Sequence, residues 1–470
     1  MADHNGRVLL DRETEFSIEE LFFSTTDLRG VIVHGNDVFV RISGYSETEL
    51  IGAPHSLVRH PDMPRSVFQL LWETIETGRS IAAYVKNLAK DGTYYWVLAL
   101  VIPNESGYLS IRLKPTSDLF KAVPSLYSHL LAVENAIAIE PKRRPAAMQA
   151  GRAALQEQLK VHGFANYEKF MQHALSSELS RRNQLIAESG PVRTRKVHYP
   201  SAEIAELYTH CHLLDEGLQA VFERLEKFKA MNVALAEKST DIRQSSESIR
   251  FLSMNATVTA NKLGVKAATL QVVSKSLGAV CDESRQTMTS LTHRMADVVE
   301  ILEHLIFDLA ATKLQSEVLL HFVDEIVATP LHESTGMRRD RQIKPEIARS
   351  LTTLANAMAT RMQKVFDSLE TADQRMLELA SETEKLDCNI RTLRFVQFAG
   401  EKESASWGDA GSFASVFQQV REHINHTKAE CDSLARAINE SCEQVRALRV
   451  TRTHLRPHLD SLQCFVAREV

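Results

Sequence analysis

The sequence predicts an α+β domain near the N-terminus, followed by a mainly α region that takes up the rest of the 470 residues. Short strand-like runs separated by turn residues predict the α+β domain, within residues 20–120. A seven-residue repeat of apolar side chains predicts the helices, from residue 201 onward. A chain of this length exceeds what one hydrophobic core usually organises, so several domains are expected.

The composition is that of an ordinary folded protein, with 44% hydrophobic and 24% charged residues. A net charge of -5 argues against a dedicated nucleic-acid-binding protein. No stretch is long and apolar enough to cross a membrane, and the charged first residues lack the apolar segment of a signal peptide. We therefore expect no membrane-spanning segment and a cytoplasmic location.

Within the α+β domain, three runs have the composition of strands and one dipeptide has that of a hairpin turn. The runs are GVIVHG at 30–35, YYWVLALVIP at 94–103 and YLSIRL at 108–113. Asp91-Gly92 precedes the second run and suits a tight turn. Residues 1–19 are expected to form an N-terminal tail.

Residues 121–200 predict a helical connector, interrupted by EPKRRP at 140–145 and followed by a basic loop at 190–200. Its apolar residues are spaced as in packed helices, and no cofactor motif is visible. We expect the connector to couple the two parts of the chain mechanically.

The helical region predicts two hairpins that pack as one long antiparallel four-helix coiled-coil bundle. The first spans 201–328 with its tip near 253–268, and the second spans 346–470 with its tip near 399–412. Residues 329–345 carry prolines, a glycine and a basic cluster, which indicate a loop between them. IRFL at 249–252 and IRTL at 390–393 indicate a duplication, so one chain could build a monomeric pseudo-dimer.

The first tip, LSMNATVTANKLGVKAATLQVVSKSLGAVCDES at 252–284, resembles the hairpin tip of methyl-accepting chemotaxis proteins. The resemblance implies contacts with a chemotaxis histidine kinase and its coupling protein through Asn255, Val258 and Lys262. The second tip, at 395–421, resembles the same family more weakly and implies a contact through Glu403.

Two departures from the chemoreceptor pattern favour a different partner. Thr259 stands where the family has an acidic residue. Lys262 stands where the family has an arginine, so the bidentate hydrogen-bonding group of arginine is lost. The alternative is therefore a signalling adaptor or scaffold that has lost kinase control and binds another signalling protein.

The segment STTDLRGVIVHGNDVFVRISGYSETELIGAPHSLVRHPDMP, at 24–64, resembles the PAS domain of bacterial aerotaxis receptors, most closely in VRHPDMP at 58–64. The resemblance covers residues 20–118 and implies a pocket for FAD whose redox state is the signal. A PAS domain also allows self-association. One departure is SIAAY at 80–84, where the family has a tryptophan.

The resemblance implies a set of residues around the cofactor. They are Asn36, Arg59, His60, Asp62, Trp72, Asn87 and Tyr95. Arg59 suits a phosphate or a ring carbonyl, whereas Asn36 and His60 suit the polar edge of a flavin. Three alternatives stay open: haem bound through His34, His55 or His60, a pocket with another ligand or none, and Asp62 as a helix cap.

The function that these features predict is sensory. A change of redox or oxygen state in the first domain would alter helix packing in the bundle and thereby a partner at its tips. No enzyme is expected, because the sequence lacks a P-loop, GxGxxG, kinase ATP-binding boxes and a nucleophile with a positioned base.

Overall fold

The computed structural model describes residues 8–138, 140–189, 202–262, 268–328, 345–405 and 411–469. The predicted loop at 329–345, apart from residue 345, lies outside these residues, as do residues 263–267 of the first predicted tip and 406–410 of the second. The chain divides into two compact units. The first comprises Met1–Gln219, Ile306–Gln363 and Leu455–Val470, and the second comprises Ala220–Leu305 and Lys364–His454.

A five-stranded antiparallel sheet organises the N-terminal domain, in the order β2-β1-β5-β4-β3. The strands are β1 (Phe22–Asp27), β2 (Ile32–Gly35), β3 (Ile81–Leu88), β4 (Tyr94–Asn104) and β5 (Gly107–Leu113). The three strand predictions correspond to β2, β4 and β5, and the structure adds β1 and β3. The predicted Asp91-Gly92 turn joins β3 to β4, with Gly92 at φ +92°.

Three helices follow β2 and lie against the inner face of the sheet: α1 (Asp37–Ser43), α2 (Glu47–Leu50) and α3 (Arg65–Glu76). A short 3₁₀ turn, His55–Val58, precedes α3. Strand residues alternate between the two faces, so Asn87, Ala99 and Arg112 share the inner face with these helices.

The connector folds into α4 (Val123–Ile137), α5 (Arg144–Val161) and α6 (Tyr167–Glu188). Its helices cover the outer face of β3 and β4. Tyr127 on α4 donates a hydrogen bond to the backbone oxygen of Tyr84 at 2.8 Å, and Tyr167 on α6 donates one to that of Ala82 at 3.0 Å. The connector is therefore packed on the sheet.

Four long helices make up the remaining described residues: α7 (Ala202–Lys262), α8 (Ala268–Ala328), α9 (Pro345–Ala405) and α10 (Gly411–Glu469). Most of the apolar residues of the predicted seven-residue repeats are buried. Examples are Leu214, Val221, Phe228, Leu277, Leu291, Met358, Leu379, Val420 and Leu434.

Within the second unit, the partners across two helix pairs show the chain direction. Arg250 pairs with Asp282 at 2.9 Å and Lys229 with Glu303 at 3.6 Å, so α7 and α8 are antiparallel. Lys428 on α10 pairs with Asp387 on α9 at 2.6 Å and Arg421 with Glu401 at 3.3 Å, so α9 and α10 are antiparallel as well. Over the described ranges, no helix is long and apolar enough to span a membrane.

Candidate functional site

A cavity of about 330 Å³ lies in the N-terminal domain, between the inner face of the sheet and α3. Its apolar wall comes from both elements. This wall consists of Phe68, Leu71, Trp72, Ile75, Val85, Ala99, Val101 and Tyr108. Its polar side chains come mainly from the strands and from the 3₁₀ turn, including Thr26, His55, Asn87, Ser110 and Arg112.

Arg112 on β5 lies at the centre of the polar side of the cavity and is almost fully buried. One terminal nitrogen donates to Ser24 Oγ at 3.0 Å and contacts the imidazole of His55, while the guanidinium lies 5.0 Å from the Phe39 ring centroid. Burial lowers the pKa of Arg112 to about 10. Burial, reinforced by the Arg112 charge, lowers the pKa of His55 to about 3, so its imidazole is neutral at physiological pH.

Three buried polar atoms around the cavity have no hydrogen-bond partner among the described residues. They are Asn87 Nδ2, Tyr95 Oη and Arg112 Nη1. Asn87 and Tyr95 are directly paired across β3 and β4, and all three residues are buried. Unsatisfied buried donors are costly, so this site fits a ligand that supplies acceptor atoms.

The charge of the cavity wall is positive. Arg29, Arg59 and Arg112 line it, and its lining in the described domain contains no carboxylate. Arg59 lies over the Phe68 ring, 3.9 Å from its centroid, and burial lowers its pKa to about 10. Arg29 is exposed and pairs with Asp27 at 3.2 Å, so it belongs to the mouth. The wall therefore favours an anionic or acceptor-rich ligand.

Trp72 comes within reach of the cavity because Gly30 leaves room for it. A Cβ atom at Gly30 would lie 2.9 Å from the Trp72 ring, and the backbone there has φ +77°. Both the space and the backbone conformation therefore favour glycine. Trp72 also packs edge-on against Tyr108, with ring centroids 5.6 Å apart.

Three of the seven predicted cofactor residues line the cavity: Arg59, Trp72 and Asn87. Tyr95 lies beside it through its pairing with Asn87. Asn36 is outside the lining because its amide holds the backbone: Oδ1 accepts from the nitrogens of Phe23 and Phe39, each at 3.2 Å.

His60 and Asp62 also lie outside the lining. His60 Nδ1 accepts a hydrogen bond from the Asp62 nitrogen at 3.1 Å. The Asp62 carboxylate lies 2.7 Å from Lys86 Nζ. The alternative that Asp62 caps the following helix is wrong, because α3 begins at Arg65 and another carboxylate occupies its N-terminus.

That carboxylate is Glu134 of α4. It accepts hydrogen bonds from the nitrogens of Arg65 and Ser66, both at 2.9 Å, and from Ser66 Oγ at 2.6 Å. Glu134 is buried, and Gly151 of α5 packs directly against it. The connector thereby caps the N-terminus of α3, the helix that forms one wall of the cavity.

Sequence reasoning missed Arg112, Ser24 and Glu134. The alternation Tyr108, Ser110, Arg112 along β5 was the available signal, since it places polar residues on one face. Nothing in the sequence showed that this face borders a cavity instead of solvent.

The predicted partner-binding residues belong to the second unit. Asn255, Val258 and Lys262 are exposed on α7, and Glu403 is partly buried on α9. Thr259, where the chemoreceptor pattern has an acid, donates its hydroxyl to the Asn255 backbone oxygen at 2.8 Å.

Comparison with known proteins identifies the class of the N-terminal domain. Residues 32–108 match the PAS fold family. This domain, which contains the five-stranded sheet and the cavity, is therefore a PAS domain.

The relatives narrow the type of PAS domain. The aerotaxis receptor of Escherichia coli (strain K12) is 43% identical over 126 residues, which cover 26% of this chain and 25% of that protein. The nitrogen fixation regulatory protein of Klebsiella pneumoniae is 31% identical over 98 residues, 20% of each chain. This confirms an aerotaxis-receptor-type PAS domain, although the match spans only a quarter or less of these relatives. The chemoreceptor signalling region stays a prediction.

Solved structures also match the PAS segment. A PAS domain from Colwellia psychrerythraea is 25% identical with a TM-score of 0.18, covering 20% of this chain and 85% of that one. The LOV domain of the blue-light photoreceptor Aureochrome1 is 23% identical with a TM-score of 0.20, covering 24% and 91%.

Proposed function

We propose that the protein is a receptor of the aerotaxis type, whose PAS cavity binds a flavin, FAD, and senses redox or oxygen state. The observation that carries the proposal is the set of buried donors without partners, Asn87 Nδ2 and Arg112 Nη1, on the polar side of a cavity whose other wall is apolar. A flavin ring offers carbonyl and ring-nitrogen acceptors on a flat apolar frame, and it supplies electron-transfer chemistry when bound.

The size of the cavity suits the ring system of a flavin. Its volume of about 330 Å³ is at the lower end of the range for ligand sites, roughly 300–1,000 Å³. A cavity of this size has room for a flavin ring system, and the charges of Arg29 at the mouth and Arg59 in the wall would suit the phosphates of FAD.

Haem is the weaker alternative. His55, which lines the cavity, already contacts Arg112 and stacks on Phe39 with 6.1 Å between ring centroids. His60 is engaged with Asp62. A flat macrocycle would also need more room than a flavin ring.

Titration with FAD tests this function. The variant is Asn87→Leu, which removes a cavity donor while keeping a branched side chain of similar shape, and Asn104→Leu at the far end of β4 is the control outside the cavity lining. We expect wild type and Asn104→Leu to bind FAD, and Asn87→Leu to bind at least about tenfold more weakly, the factor for about 1.4 kcal/mol. Equal affinity for all three proteins would contradict the assignment of the cavity.

We propose that the four long helices transmit the signal as an antiparallel coiled-coil bundle, in a cytoplasmic protein. The buried seven-residue repeats and the antiparallel ion pairs support this proposal. The far ends would then present Asn255, Val258 and Lys262 to a chemotaxis histidine kinase and coupling protein.

The second candidate is an adaptor or scaffold that binds another signalling protein at these ends. The Thr259 hydroxyl favours it, because it bonds to its own helix and offers no charge where a chemoreceptor has an acid. Co-purification with a chemotaxis kinase and coupling protein, with and without Thr259→Glu, separates the two. Binding only after the substitution favours the scaffold.

A further inference from the structure

One helix of the connector is hydrogen-bonded both to the PAS sheet and to the long helices. Helix α6 carries two buried charged residues one turn apart, Glu178 and Arg182. Residues four positions apart on a helix lie on the same side, about 6 Å apart along the axis. Glu178 binds residues of the PAS domain, and Arg182 binds a residue of α8, all within the first unit.

Glu178 binds the sheet side. Its carboxylate is fully buried and accepts from Tyr84 Oη at 2.8 Å, from the Thr116 nitrogen at 2.5 Å, and from the nitrogen and hydroxyl of Ser117 at 2.8 and 2.7 Å. Tyr84 precedes the cavity residue Val85 on β3, and Thr116 closely follows β5, which carries Arg112. Glu178 therefore ties β3 to the segment that directly follows β5, and both of these strands line the cavity.

Arg182 binds the long helices. Its guanidinium pairs with Glu317 of α8 at 2.8 Å, and it also donates to the backbone oxygens of Ile18 and Glu19, at 3.0 and 3.1 Å. The next residue, Asn183, donates to Gln219 of α7 at 2.9 Å.

The partner of Arg182 belongs to a buried ionic cluster of α7 and α8. Lys313 Nζ lies 2.9 Å from Glu317 and 2.7 Å from Asp215. Burial alone would raise the pKa of Glu317, but Arg182 and Lys313 outweigh it and hold the pKa at about 2. Glu317 is thus ionised, and breaking one arm of such a buried pair is strongly unfavourable.

We propose that α6 carries a change in the PAS cavity to α7 and α8, with Glu178 as its contact to the sheet and Arg182 as its contact to the long helices. The proposal rests on the proposed function, since it assigns the route by which the cavity acts on the helices. A second contact between the PAS sheet and α8 is made by Phe23 of β1, which packs on Phe322 with 4.6 Å between ring centroids.

Two tyrosine variants in the full-length chain distinguish α6 from general packing. Tyr84→Phe removes the hydroxyl that reaches Glu178, whereas Tyr127→Phe removes a buried hydroxyl bonded to the same strand from α4. Hydrogen exchange is measured on residues 306–328 of α8. We expect exchange there to be about three- to tenfold faster in Tyr84→Phe, the range for one hydrogen bond, and unchanged in Tyr127→Phe.

Arg182→Lys keeps a positive charge beside Glu317 but loses the branched donor set that also reaches the backbone oxygens of Ile18 and Glu19. In this background Tyr84→Phe should have no further effect on α8. The route through α6 is refuted if the two tyrosine variants act alike, or if the effect of Tyr84→Phe persists beside Arg182→Lys. Persistence would assign coupling to Phe322 instead.

The same proteins are then loaded with FAD and compared in oxidised and reduced form. Reduction should change exchange in 306–328 of wild type but not of Arg182→Lys, with flavin absorbance equal in both. A response that survives in Arg182→Lys counts against α6. Failure to bind FAD refutes only the proposed function, because the tyrosine comparison needs no ligand.

Discussion

Replacing Glu134 by glutamine tests how the connector supports the cavity. Glu134 accepts three hydrogen bonds at the N-terminus of α3, at 2.6 to 2.9 Å, and it is only 2% exposed. Glutamine would lose the charge and direct an NH₂ group at backbone donors. A Cβ at Gly151 would lie 2.7 Å from Glu134 Oε1, so there is little room for reorientation.

The magnitude follows from these contacts. Hydrogen bonds to a charged group contribute about 1.5–3 kcal/mol, and a charge at a helix N-terminus adds about 0.3–1 kcal/mol. We therefore expect Glu134→Gln to lower the unfolding free energy of the PAS domain by about 2–4 kcal/mol. With a urea slope of about 2 kcal/mol per molar, in the middle of the usual range for small domains, the midpoint would fall by roughly 1–2 M.

The assay is urea unfolding of the full-length chain, followed by tryptophan fluorescence and by amide exchange in α3. Trp72, one of three tryptophans in the chain, lies on α3, and amide exchange in α3 reports the opening of that helix by itself. Glu157→Gln, the same change at an exposed position of α5, is the control and should stay within about 0.5 kcal/mol of wild type. A Glu134→Gln midpoint equal to that of the control would refute the capping argument.

Three further predictions concern the cavity. Asn87→Leu should leave the unfolding free energy of the ligand-free protein within about 1 kcal/mol of wild type, because it removes an unsatisfied donor, and it should still weaken FAD binding. A loss of unfolding free energy above about 3 kcal/mol would show that Asn87 is structural. Gly30→Ala should destabilise the domain by about 1–3 kcal/mol and quench or shift Trp72 fluorescence, because its Cβ meets the ring; an unaltered melting curve would contradict this. The pKa of His55 is depressed to about 3 in the folded state, so below pH 6.5 the unfolded state binds more protons than the folded state. The unfolding free energy should therefore fall as pH falls from 6.5 toward 3, by up to about 1.4 kcal/mol per pH unit. His55→Gln should reduce that slope, and an unchanged acid profile in this variant would contradict the prediction.

The sequence predicted the parts of the fold that follow from periodicity. The seven-residue repeats predicted the long helices, because apolar residues at that spacing form one buried face. The alternating run at 108–113 likewise predicted β5. β3 was missed because nearly all of its residues are buried, so SIAAYVKNL shows no alternation.

The polar residues that position the site were harder to predict. Glu178 and Arg182 lie at helical spacing with Leu175 and Leu179, which places charges on an apolar face. That pattern was a signal of buried ion pairs, but their partners are distant in sequence. Asn36 was predicted near the cofactor, and in the structure its side-chain oxygen accepts hydrogen bonds from the backbone nitrogens of Phe23 and Phe39, a partnership that the sequence did not indicate.

The central claim is that the PAS cavity holds a redox-active flavin. The most direct measurement is the visible absorption spectrum of the purified full-length protein, after incubation with FAD and removal of free cofactor, before and after anaerobic reduction. We predict the two-banded spectrum of an oxidised flavin, bleached on reduction and less intense in Asn87→Leu at the same protein concentration. A folded wild-type protein that stays colourless, or shows the intense band of haem after haem is offered, would contradict the claim.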